Sequence, residues 1–219
     1  QRPLEFAPGS EWKYSSAGTL VIGRVVEVVS GRRFQDFLQG RILDPLGMTD
    51  TTFFPPKHKV GRVVTPYLKN DKVRELTETE VRSVRGELWD TRRTVKPSGG
   101  LYSTAEDLRR FYQMMLNGGE SPACQPGDDA GVPCPLGRGI AQQIVDPGVL
   151  SMFTTRFDET STRGLGWDTP GERSSGGDYV TSSAFGHTGY TGTSIWMDPE
   201  LDVWVILLTN RVHPSRENS

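Results

Sequence analysis

Helical patterns through the first two thirds of the chain and a β-hairpin near its end predict an α+β fold with an antiparallel sheet. The stretch "AGTLVIGRVVEVVSG" places Leu20, Val21, Val25, Val28 and Val29 at helical spacing and ends at Gly31, a natural C-cap. Its valines would equally allow a strand, but its length and terminal glycine favour a helix. "RRFQDFLQGRIL" repeats the helical pattern through Phe34, Phe37, Leu38 and Leu43, and stops at the turn signal Asp44-Pro45-Leu46-Gly47. From Phe53 to Gly100 no period is sustained, so loops with room for two short strands are expected. "GGLYSTAEDLRRFYQMMLNGG" predicts a helix with Ser103 and Glu106 as a capping box, an apolar face of Leu108, Phe111 and Met115, and closure at Gly118-Gly119. In "TSIWMDPELDVWVILLTN" two β-rich runs flank a four-residue turn at Asp198-Pro199-Glu200-Leu201, which predicts a hairpin whose second strand is buried on both faces.

Composition narrows the function. With 219 residues and 35% apolar residues the chain can build an ordinary globular core. Its 25 basic and 27 acidic residues nearly balance and are scattered, which argues against a nucleic-acid partner. The longest apolar run, "VWVILL", suits a buried strand and falls far short of the roughly 20 residues a membrane-spanning helix needs. Cys124 and Cys134 flank "QPGDDAGVP" and leave two readings open: a disulfide suited to an oxidising compartment, or two unpaired thiols in a surface loop. His58 and His213 stand in polar loops and read as solvated. No metal-ligand spacing, phosphate-binding glycine loop or cofactor signature is present, so no metal and no cofactor are expected.

Two short constellations carry candidate chemistry. Tyr14-Ser15-Ser16 precedes the first helix; in an extended segment Tyr14 and Ser16 would share one side and could line a cleft. A tyrosine acts as a general base only when nearby positive charge lowers its pKa, and taken alone Tyr14 reads as a packed residue. His187-Thr188-Gly189-Tyr190 opens the hairpin in the glycine-rich "GHTGYTGT", which suggests an edge or bulge where a ligand lies close to the backbone. There the Tyr190 N–H could donate to an oxyanion. By itself His187 reads as a structural histidine.

Together, and in their order, these elements resemble the superfamily of serine β-lactamases and penicillin-binding proteins, in particular class C β-lactamases, D-alanyl-D-alanine peptidases and the esterases of that fold. The segments that carry the resemblance are "APGSEWKYSSAGTLVIGRVVEVVSG", "RILDPLGMTDTTF", "SGGLYSTAEDLRRFYQMMLNGG", "RGLGWD" and "FGHTGYTGTSIWMDPELDVWVILLTNRVHP", running from Ala7 to Pro214. The resemblance implies a β-lactamase/transpeptidase-like fold, an antiparallel sheet flanked by helices beside a helical subdomain, with the active site in the cleft. It implies one incomplete domain over 1–219, its helical subdomain at about 1–160 and its sheet hairpin at about 180–212. The family's Tyr-x-Asn falls on Tyr14 and Ser16, the latter a departure because serine lacks the amide. Its Lys-Thr-Gly, or His-Thr-Gly in esterase-like members, falls on His187, Thr188 and Gly189, and the following oxyanion donor on the Tyr190 N–H. Tyr14 and His187 are thus the catalytic candidates, and Ser16, Thr188, Gly189 and Tyr190 the substrate-binding ones.

The family also acylates the serine of a Ser-x-x-Lys at the start of a helix. "SEWK", Ser10 to Lys13, has that spacing but occupies the short approach to Tyr14, whereas the family's motif lies far upstream. The expectation is therefore a fragment of an extracytoplasmic serine hydrolase acting on a small acyl substrate, an ester, amide or β-lactam, with its nucleophile outside this chain. The resemblance further implies that helices and strands which would cover the sheet are missing, leaving apolar surface exposed. The alternative is a non-catalytic relative that binds peptide or cell-wall fragments.

Overall fold

The computed structural model describes residues 3–64, 94–122, 141–157, 161–172 and 174–209. Cys124, Cys134 and His213 lie outside these residues, as does most of the stretch between Phe53 and Gly100. Within that stretch the described parts hold a 3-10 helix, Lys57–Arg62, and one isolated bridge, Lys96 with Gly99, while a second bridge, Thr52 with Tyr102, joins the residues that flank it.

Helix α1 spans Ser16–Ser30 and is bounded as its sequence dictates. Ser15 is the N-cap, its Oγ accepting from the Gly18 N–H at 3.0 Å; Gly31, at φ 67°, ends the helix in the left-handed conformation that glycine adopts without a Cβ penalty. The carboxylate of Glu27 then accepts from the Phe34 N–H at 3.1 Å and fixes the entry into α2, Phe34–Leu38, which continues as a π-helical turn through Leu43. Only Gly23 of α1 is buried: a Cβ there would stand 2.1 Å from the Pro97 ring, so the helix rests on that proline. The apolar residues at helical spacing are largely exposed among the described residues, Val29 at 82%.

Helix α3, Ala105–Leu116, starts one residue later than the capping box predicts. Thr104 is the N-cap, accepting from the Asp107 N–H at 3.2 Å, because the Ser103 hydroxyl is engaged 2.7 Å from that of Thr51 and Glu106 pairs with Arg109 at 2.7 Å. Asp107 in turn accepts from the Thr51 hydroxyl and the Asp50 N–H, both at 2.8 Å, tying the loop after α2 to α3. Gly118 and Gly119 close the helix as expected, both at positive φ. Helix α4, Pro147–Thr154, is capped by Asp146 through the N–H groups of Gly148 and Val149.

Strands β1, Phe185–Thr188, β2, Ser194–Asp198, and β3, Val203–Leu207, form an antiparallel sheet in the order β1-β2-β3, with Phe185 opposite Met197 and Trp196 opposite Val205. The predicted hairpin is β2–β3, but its burial is reversed. The central strand β2 is the covered one, whereas β3 exposes Val203, Val205 and Leu207 on one face because the described residues put nothing over that side. Helix α3 lies against β2 and β3. Met114 and Met197, both fully buried, sit in one apolar cluster with Leu43, Leu46, Leu150, Phe185 and Ile195, so helices and sheet share a core.

Candidate active site

The site candidates lie at two places. Tyr14 ends a non-helical approach to α1 and is exposed; Ser16 is the first residue of the helix itself. Ser15 between them is extended, at φ −143° and ψ 107°, and its side chain is the cap of the helix. His187, Thr188, Gly189 and Tyr190 stand at the far end of β1, His187 half-buried and the other three exposed.

Strand β1 forms one border of the sheet, as its glycines suggest, but those glycines have structural reasons of their own. A Cβ at Gly186 would lie 2.2 Å from the Ile195 carbonyl oxygen and 2.5 Å from the Trp196 ring. One at Gly189 would lie 2.1 Å from the Thr193 hydroxyl oxygen, and Gly192 has φ 85° in the turn to β2. Both the N–H and the C=O of Gly186 point away from β2, to Asp168, at 2.9 and 2.8 Å. The Gly189 N–H points back, to the Thr193 carbonyl at 2.7 Å. By alternation the backbone groups of Thr188 face outward again, one step beyond the Asp168 bridge. The His187 imidazole Nδ1 lies 2.7 Å from the Thr188 carbonyl oxygen, which can only accept. Neutral His187 thus carries its proton on Nδ1 and presents Nε2 as an acceptor.

Neither Ser10 nor Lys13 forms the dyad that "SEWK" suggests. The Ser10 hydroxyl donates to the Ala7 carbonyl at 2.8 Å, in a turn with Gly9 at φ 83°, and the Lys13 ammonium pairs with Glu5. No helix starts at Ser10.

Three residues that the sequence reading left without a role connect the two places. The Trp12 ring lies 5.5 Å from the Arg163 guanidinium carbon; Arg163 bridges Asp168 across a tight hairpin, its Nε 3.7 Å from the carboxylate; and Asp168 is the residue bridged to Gly186. Asp168 is buried and also accepts from the Thr162 hydroxyl at 2.6 Å. "RGLGWD" is legible as a family-like segment, but nothing in its composition shows that it borders β1. A cavity of about 610 Å³ lies elsewhere, between α4, the end of α3 and the β2–β3 turn. The hydroxyls of Thr154, Thr155, Thr169 and Ser183 on its wall are engaged within the protein, which leaves few polar groups to orient a ligand. Among the described residues no group of three His, Cys, Asp or Glu side chains could hold a metal, and no helix is long and apolar enough to cross a membrane. His58 is exposed, as expected.

A short antiparallel sheet bordered by helices, with a His-Thr-Gly at the end of its outer strand and a Tyr-Ser-Ser before a capped helix, defines the class, and comparison with known proteins agrees. The chain belongs to the beta-lactamase family, whose profile it matches over residues 1–219. It is 29% identical over 224 residues to an Escherichia coli (strain K12) protein named "Putative D-alanyl-D-alanine carboxypeptidase", covering 96% of this chain and 48% of that protein. The chain thus spans about half the length of the curated relatives it matches. Among solved structures, EstCE1, described as a hydrolase with promiscuous acyltransferase activity, superposes with a TM-score of 0.65 at 20% identity, covering 96% of this chain and 54% of that one. A β-lactamase from Mycobacterium bovis gives 0.57 at 21% identity, covering 93% and 58%. At these identities the structural likeness establishes the β-lactamase/transpeptidase-like fold. The relatives bear the names of hydrolases.

Proposed function

We propose that this chain is part of a serine hydrolase that works through an acyl-enzyme outside the cytoplasm. The observation that carries the reading is the end of β1: exposed Thr188 and Gly189 beyond the Asp168 bridge, beside a histidine whose Nδ1 is held by backbone and whose Nε2 is presented. The nucleophilic serine, with its lysine, comes from the half of the longer relatives that these residues do not match. Tyr14 and that lysine share the serine's proton as its oxygen attacks the acyl carbonyl. The carbonyl oxygen, now negative, takes hydrogen bonds from the serine N–H and the Tyr190 N–H. Collapse expels the alcohol or amine with the returned proton, and water then releases the acid. His187 accepts a hydrogen bond from Tyr14, or as imidazolium steadies its charge, and Thr188 supports the substrate's carbonyl side. Ser16, too short to replace the family's asparagine amide, lines the Tyr14 side of the cleft. An imidazole carries less permanent charge than the lysine ammonium at that position, which favours an ester or peptide over the carboxylate of a β-lactam.

The test is covalent labelling of the full-length polypeptide that carries these residues with a fluorophosphonate, followed by mapping of the adduct. The expected adduct lies on a serine outside residues 1–219 and is slowed about a hundredfold or more by Tyr14→Phe. An adduct on Ser10 would relocate the nucleophile. Ser16 in place of asparagine favours one other reading, a binding protein without catalysis, which predicts neither adduct nor ester turnover.

A further inference from the structure

We propose that Trp12 is a positioning residue, whose stacking on Arg163 holds the segment bearing Tyr14 against the hairpin that borders β1. The inference rests on the reading of Tyr14 as catalytic and adds to it the means by which Tyr14 is aimed. Successive side chains of the approach to α1 leave in different directions. Trp12 goes to Arg163, Lys13 to Glu5, and Ser15 into the helix as its cap, with Ser15 itself extended at φ −143° and ψ 107°. Tyr14 stands only two residues beyond Trp12 in this non-helical approach, so anchoring Trp12 limits where Tyr14 can lie. The anchor is the border of the sheet: Arg163 is bridged to Asp168, and Asp168 is hydrogen-bonded through both backbone groups to Gly186, the neighbour of His187. Arg163 is mostly covered, its contact with the Asp168 carboxylate, at 3.7 Å, is longer than a hydrogen bond, and the Trp12 ring lies within cation–π range of its guanidinium. Trp12 is half exposed and lies outside the apolar core cluster, so stacking of this kind, and not core packing, accounts for a tryptophan here. Without it, nothing among the described contacts joins residues 11 to 14 to the hairpin.

The experiment is steady-state hydrolysis of p-nitrophenyl butyrate by the full-length polypeptide, with 3-fluorotyrosine at position 14 read by fluorine NMR in parallel. Trp12→Ala should lower kcat about tenfold with KM nearly unchanged, since a misplaced base impairs the step and not the binding. Arg163→Met should do the same, and the double variant should be no worse than either single one. Trp12→Phe, which keeps an aromatic face, should recover most of the rate. The fluorine resonance should move in Trp12→Ala and Arg163→Met and stay in Trp12→Phe. Multiplicative losses in the double variant, or an unmoved resonance in both single variants, would overturn the proposal. If Tyr14→Phe turns over like the wild type, the catalytic reading of Tyr14 fails, and the fluorine shifts alone decide whether Trp12 positions it.

Discussion

Strands β2 and β3 are neighbours of the same length, yet β2 is covered along nearly all of its length and β3 shows every second residue to solvent. Their sequences, "SIWMD" and "VWVIL", would suggest the reverse, since β3 is the more apolar. What separates them is position. β2 has a strand on each side and the Trp196 ring seated on Gly176 and Gly186, whereas β3, although α3 lies against it too, is paired among the described residues on one side only. The apolar face of α1 belongs with β3 in this respect. Hydrophobicity says how much a segment gains from being covered; the topology of the chain decides whether it is.

The contrast predicts unequal costs for equal truncations in the 219-residue chain. Met197→Ala removes a fully buried side chain from the shared core and should cost about 3–4 kcal/mol in urea unfolding. Val205→Ala, on a side chain 64% exposed, should cost less than about 1 kcal/mol. Similar values for the two would mean that β3 is covered in solution, by another copy or by residues outside those described. Gly186→Ala examines the β1 side. Its new Cβ meets a backbone carbonyl and the Trp196 ring, neither of which can swing away, so a loss of about 3 kcal/mol is expected. A thermal midpoint within a degree or two of the wild type would show that β1 is less firmly seated than β2.

The elements that were legible in the sequence are those whose signals are local. Gly31 and Gly118-Gly119 end helices, Leu108, Phe111 and Met115 face the core, and a tight turn separates two paired strands, at residues 199–202, one residue later than predicted, because capping, periodicity and turn chemistry act over a few residues. The capping box missed by one residue because Thr51, far away in sequence, engages Ser103 and leaves Thr104 to cap. The burial of β2 over β3 depends on strand order, which no local pattern encodes. At the candidate site, Tyr14 and His-Thr-Gly could be picked out by their order along the chain. Trp12, Arg163 and Asp168 could not, since their partnership exists only once the hairpin of residues 162 to 169 is laid beside β1. The glycines of "GHTGYTGT" look like room for a ligand in one dimension and prove to be room for Trp196 and Thr193 in three.

Where α2 passes toward α3 the buried region is held by charge, and this gives the smallest predicted effect. The Asp50 carboxylate lies 2.7 Å from Lys59 and 2.7 Å from Arg62, while its N–H donates to Asp107. Hydrogen bonds from Arg62 and then Lys59 hold it down at a pKa of about 2. Because the folded value is depressed, the unfolded chain binds the proton more tightly, so the stabilisation is complete above the ordinary carboxylate range and is lost as pH falls from about 4 toward 2. Linkage gives about 2 kcal/mol; Arg62 is largely exposed and shares its charge with water, so about 1 kcal/mol is expected. Asp50→Asn should therefore lower the stability of the chain by that amount at pH 6, as measured by urea unfolding, and match the wild type near pH 2. A gap that stays the same at both pH values would mean that the loss comes from the geometry of the side-chain hydrogen bonds to Lys59 and Arg62 and not from the carboxylate charge.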